Sequence, residues 1–233
     1  MALSACVLAI TPAVAADLPR AAPTVTNWTG VHIGINGGYG WGDVLTSKGS
    51  ITGGGVTALL PDATAKMSGG FAGAQLGYDL QMGNFVVGVE TDFQGAAISH
   101  VDTASALGVT VTEKYTLDAF GTTRARAGVA FDQLMVYGTA GVMYAAASAK
   151  LTIQPPAGQE LGATNSSWHV GYTVGAGAEW AFARDWTARV EYLYADLGSG
   201  SYALDTQSIP NITASLDAKM QINLVRFGIN ARF

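Results

Sequence analysis

The side chains best able to do chemistry in this sequence are three histidines, the serines near them, and eleven charged residues placed at alternating positions. Ser99 directly precedes His100, and Ser167 lies two residues before His169. A hydroxyl nucleophile needs a base within hydrogen-bond reach. Neighbours along a strand point to opposite faces, so Ser99 and His100 would cooperate only where the chain bends them together. His32 and His169 fall on inward-facing parities of strands that are not neighbours, and His100 falls in a predicted loop; none has metal-ligand spacing. Gly53-Gly54-Gly55 lacks the lysine and helix that follow a phosphate-binding loop. The single cysteine, Cys6, sits in a segment expected to be removed, which leaves no thiol chemistry. The sequence therefore reads as non-enzymatic, with no catalytic residue, metal ligand or cofactor.

The charged residues are different, because they share one face of a repeated pattern. In residues 168–182, Trp168, Val170, Tyr172, Val174, Ala176, Ala178, Trp180 and Phe182 lie on one parity, with His169, Thr173, Glu179 and three glycines on the other. After a turn at Arg184-Asp185 the pattern restarts, with Trp186, Ala188, Val190, Tyr192 and Tyr194 opposite Thr187, Arg189 and Glu191. This alternation specifies strands with one apolar face. Bulky aromatics near the ends of that face match a strand that crosses a bilayer between two aromatic girdles.

Composition agrees. Hydrophobic residues make up 49% of the 233-residue chain and charged residues only 12%, yet no apolar run approaches the ~18 residues of a membrane helix. A net charge of −5 argues against nucleic acid as a partner. Residues 1–15 read as a signal peptide ending in Ala13-Val14-Ala15, without the usual basic start. Lipidation at Cys6 is an alternative that the continuation of the apolar run disfavours. Residues 16–26, with Pro19 and Pro23, read as a periplasmic lead-in, and residues 27–233 as the barrel.

Within the barrel, strand patterns occur near residues 28–41, 66–82, 85–95, 114–131, 134–149, 168–182, 186–197 and 219–233. Tight turns at Gly83-Asn84, Asp132-Gln133 and Arg184-Asp185 alternate with long polar stretches at residues 42–65, 97–113, 150–167 and 199–218, which are read as loops. The fifth strand is apolar on both parities, so its facing stays open. The fold class is all-β: an eight-stranded antiparallel up-and-down transmembrane barrel, with short turns on one side and long loops on the other.

The expected lumen set is Asp79, Glu90, Asp92, Asp118, Arg124, Arg126, Glu179, Arg189, Glu191, Arg226 and Arg232. An eight-stranded interior is only wide enough for side chains to fill, and unpaired charges there are costly. A packed salt-bridge network is the leading reading; a narrow gated ion path is the other. A soluble barrel with the apolar face turned inward around a ligand is a third, disfavoured by the glycines and paired charges of the opposite face. Trp28, Trp41, Trp168, Trp180, Trp186 and Tyr192 are expected in the aromatic girdles.

Several stretches resemble a known family. They are Ala16-Asp17-Leu18-Pro19, residues 28–34 (WTGVHIG), Gly69-Gly70-Phe71 with residues 75–78 (QLGY), residues 174–180 (VGAGAEW), residues 185–194 (DWTARVEYLY) and the terminal Phe233. Together the chain resembles the small outer-membrane immunogenic-protein, porin-like family of α-proteobacteria across nearly its whole mature length. The resemblance implies a barrel like the membrane domain of OmpA, in the outer membrane of a Gram-negative bacterium, exposing antigenic loops. It implies Phe233 as an assembly signal read by the barrel-insertion machinery, and outer-membrane lipid or lipopolysaccharide as surroundings. Some relatives are described as porins and some as haem-binding, so a narrow channel or a haem or small-ligand receptor, with His100 the first residue to replace, is the alternative function.

Overall fold

The computed structural model describes residues 26–233 except 54, 60–61, 107, 155, 157–160 and 205–211. The expected signal peptide and most of the lead-in lie outside the described residues. Among the described residues nine strands follow in order: β1 (Gly30–Gly53), β2 (Val56–Leu59), β3 (Ala63–Met82), β4 (Phe85–Ala106), β5 (Val109–Phe131), β6 (Leu134–Gln154), β7 (Leu161–Ala183), β8 (Trp186–Leu204) and β9 (Ile212–Arg232). Eight form an antiparallel ring that closes where β1 pairs with β9, from His32 opposite Arg232 upward. The four-residue β2 only extends the first hairpin along β1, with Ser50 opposite Leu59.

The turns at one end fall where the sequence places them, at residues 83–84, 132–133 and 184–185. Gly83 adopts φ 65° and Asp132 φ 51°, the left-handed backbone that a two-residue hairpin requires and that Gly and Asp tolerate. The other end differs from expectation. The long polar stretches are mostly strand, so the hairpins run on as paired ribbon. Their Thr, Ser and Val content suits a solvated strand as well as a loop, and polarity alone cannot separate the two. Ring strands of 19 to 24 residues, at about 3.3 Å per residue and a tilt near 40°, stand roughly 50 Å tall. An apolar band for the membrane needs only about 25 Å, so the wall projects well beyond it on the hairpin side.

Alternation decides the rest. Ile33, Ile35, Leu76, Val89, Phe93, Val170 and Phe227 are exposed on the outer wall, while the opposite parity is buried. In β6, whose facing the sequence leaves open, Met135, Tyr137 and Met143 are buried and Val136 and Val142 exposed, so the former set points in. A bulge in β5 between Leu117 and Ala119 offsets the alternation. Leu117 is buried inside the barrel beside Phe120, although sequence parity places it on the outer face with Ala125 and Ala127.

Candidate functional site: the lumen

The inward residues form three layers. At the turn end lies a small apolar cluster of Trp28, Val86, Ala130, Met135, Tyr137 and Ala181. Above it lies the charged layer, and above that a larger apolar cluster that includes Phe71, Ile98, Leu117, Phe120, Met143, Leu193, Ile222 and Leu224. Phe71 and Phe120 meet edge to face, with ring centroids 5.2 Å apart.

Glu90 is the hub of the charged layer. Arg189 grips it with both terminal nitrogens, Nη2 at 3.0 Å from Oε1 and Nη1 on Oε2. Arg124 donates to it at 2.7 Å and Arg226 at 3.1 Å, while the His32 ring lies 3.1 Å from Oε2. Asp92 takes Arg226 at 2.7 Å, Arg124 at 3.1 Å and the Thr122 hydroxyl at 2.7 Å. Glu191 bridges Arg124 at 3.0 Å and Arg226 at 2.5 Å. One level lower, Arg126 forks onto Asp79 at 2.8 and 2.7 Å and reaches Glu179 at 3.0 Å. Arg232 joins Asp79 at 2.9 Å and also holds the Trp28 carbonyl.

These five carboxylates and five guanidiniums balance, and all ten are buried. Gln75, Asn36, Asn230 and Thr187 take up further valences: Asn36 donates to Gln75 at 2.7 Å, and Thr187 to Glu179 at 2.6 Å. Buried charges are tolerated when fully paired and hydrogen-bonded, and removing one partner strands the other. The layer fits in so narrow a ring because its wall contains glycine. A Cβ on Gly77 would stand 2.5 Å from the His32 ring and 2.8 Å from the Val89 carbonyl oxygen.

Ten of the eleven residues expected in the lumen therefore meet in one network. Asp118 does not. The β5 bulge turns it outward, where it is exposed and accepts a hydrogen bond from the Ser148 hydroxyl at 2.7 Å. Trp28 also departs from its expected place. It is buried in the turn-end mouth rather than facing lipid, with its backbone N–H on Gln81 at 2.8 Å and the Arg232 guanidinium 5.0 Å from its ring. Residues 26–29 precede β1, so strand alternation does not govern this side chain. Trp41, Trp168, Trp180, Trp186 and Tyr192 are exposed on the outer wall. Phe233 is exposed beside β1, its N–H bonded to the Val31 carbonyl at 2.9 Å.

His32 is an additional network member, legible from its inward parity. The upper apolar layer was less legible, since it depends on the bulge and on Leu193, Ile222 and Leu224 being read as inward. His100 lies on β4, not in a loop, with Nδ1 2.8 Å from the Lys66 carbonyl oxygen. His169 is half-buried on β7. Among the described residues no group of three or more His, Cys, Asp or Glu is placed to hold a metal.

One paired charged layer lies between two apolar clusters, the arrangement of a packed core, and apolar constrictions disfavour water and ions.

Comparison with known proteins gives a consistent picture. The profile described as outer membrane protein beta-barrel domain matches residues 2–233. The chain is 38% identical to the 31 kDa outer-membrane immunogenic protein of Brucella melitensis, over 96% of this chain and 94% of that protein. It is 30% identical to the 25 kDa outer-membrane immunogenic protein of Brucella abortus, over 89% and 80% respectively. Among solved structures it is similar in fold to the outer membrane protein OprG of Pseudomonas aeruginosa, with a TM-score of 0.54, 14% identity, and coverage of 89% of this chain and 99% of that one.

Proposed function

For a chain that belongs to the outer membrane protein beta-barrel domain family, and so sits in the outer membrane of a Gram-negative cell, we propose a non-enzymatic, non-conducting barrel. It anchors a tall ribbon of hairpins at the cell surface and contributes to envelope integrity. The observation that carries this reading is the balanced Glu90-centred network enclosed between two apolar layers. The projecting hairpins supply the contact surface, in keeping with the name immunogenic protein borne by the Brucella relatives.

Two further features support it. Ser99 and His100 are consecutive residues of β4 and point to opposite faces, and one ring nitrogen of His100 is engaged by the Lys66 carbonyl. The exposed Phe233 at the end of the closing strand suits recognition by the barrel-insertion machinery.

Labelling of intact cells tests the topology. A cysteine at Gly108, in a hairpin tip, should react with a membrane-impermeant maleimide, and one at Asp185, in a tight turn, should not. The reverse pattern would refute the surface role.

A further inference from the structure

The lysines of the barrel are sorted from its arginines. Among the described residues the five buried lumen cations are all arginine, whereas Lys66, Lys114, Lys150 and Lys219 are exposed toward the hairpin ends of their strands. Three of these lysines form an outward row. Lys114 on β5 stands directly opposite Lys150 on β6, and Val101 on β4 pairs with Lys114. Ser68 on β3 pairs with Ser99 on β4, two residues short of Lys66 and Val101. All three lysines are exposed, and inward neighbours fix their facing: Met67 is buried beside Lys66, and Tyr115 is partly buried beside Lys114.

Two ammonium groups opposite one another on one face are destabilising unless something neutralises them. Among the described residues none of the three makes an ion pair, whereas Lys219 is held by Asp196 at 3.0 Å. Of the acids on this face, Asp118, below the row, is occupied by Ser148, and Asp43 on β1 stands opposite Lys66 without an ion pair to it, so the uncompensated charge is concentrated at Lys114 and Lys150.

Height narrows the partner. Tyr144 on β6 and Trp41 on β1 are outward aromatics toward the hairpin side of the apolar wall, with Trp168 and Leu45 exposed a little higher. Lys150 is six residues beyond Tyr144, roughly 15 Å higher at strand rise and tilt. Lys66 is two residues beyond Ser68, the partner of Trp41, and so about 5 Å above that level. The row thus climbs through about 10 Å of the headgroup layer, outside the hydrocarbon.

We propose that Lys66, Lys114 and Lys150 form a binding site for an anionic glycolipid of the outer leaflet, one lipopolysaccharide headgroup bearing several phosphate or carboxylate groups. A single phospholipid phosphate would meet only the lowest step, whereas a tall polyanionic headgroup meets all three. The inference rests on the outer-membrane placement and is independent of whether the lumen conducts.

The test is a titration of the purified barrel in nonionic detergent with lipopolysaccharide, the same material stripped of phosphate, and phosphatidylglycerol. Each variant is first checked for the faster migration of the unboiled protein, so loss of binding is distinguished from loss of the barrel. A juxtamembrane lysine contributes about fivefold in affinity, so K114Q/K150Q should weaken binding on the order of 25-fold and K66Q/K114Q/K150Q on the order of 100-fold. K219Q should leave it nearly unchanged, and stripped material and phosphatidylglycerol should bind the wild type weakly. Equal binding by the folded triple variant would overturn the proposal. So would undiminished binding of the stripped glycolipid, or a K219Q loss as large as that of the triple variant.

Discussion

Replacing Glu90 by Gln keeps the size of the side chain and removes one charge from the hub of the lumen. The carboxylate meets Arg189 through two contacts, Arg124 at 2.7 Å, Arg226 at 3.1 Å and the His32 ring at 3.1 Å. Arg124 and Arg226 retain Asp92 and Glu191, and Arg189 retains only the Gln75 amide oxygen at 2.6 Å. The variant therefore buries one net positive charge, concentrated at Arg189. Breaking a buried pair from one side costs about 3–5 kcal/mol, and the retained contacts of Arg124 and Arg226 place the expectation near the lower end. The assay is guanidinium-induced unfolding of the barrel in detergent or lipid vesicles, followed by tryptophan emission and by gel mobility without boiling. E90Q should lower stability by about 3 kcal/mol, and E90Q/R189M, which restores the balance, should recover a substantial part. D118N, outside the network, should stay within about 0.5 kcal/mol. An E90Q change below about 1 kcal/mol, or a double variant worse than the sum of its singles, would refute the account of a mutually satisfied network.

Three other outcomes follow from the same geometry. In variants retaining one tryptophan, brominated lipid should quench Trp180 and Trp186 strongly and Trp28 weakly; strong quenching of Trp28 would place it on the lipid face after all. Gly77→Ala should prevent or slow formation of the heat-shifted species, because the added carbon meets the His32 ring at 2.5 Å; normal assembly at wild-type stability would show that the wall can give there. Deleting Phe233 should reduce the folded fraction in the outer membrane while leaving refolding into detergent largely intact. Equal loss in both settings would assign Phe233 to stability rather than to recognition.

Much of this was legible in the sequence because barrel strands obey a period of two. Arg189 and Glu191 face in because Trp186, Val190 and Tyr192 face out, and the Asp132 and Gly83 turns are local backbone requirements. What was not legible sits where that period is interrupted. A single extra residue between Leu117 and Ala119 turns Leu117 in and Asp118 out, and its position is set by pairing with neighbouring strands. Trp28 precedes the first strand, so its burial depends on Arg232 and Gln81, which are far away in sequence. The hairpin extensions are indistinguishable from loops in sequence because solvated strands carry the same Thr, Ser and Gly residues that loops do.

The most direct test of the closed lumen is steady-state conductance of the purified, heat-shifting protein in a planar bilayer. The account predicts no defined conductance steps above the bare membrane at either polarity, because two apolar layers enclose a paired charged one. Reproducible ohmic steps, changed in size or ion selectivity by E90Q, would show a continuous water path through the network and contradict it.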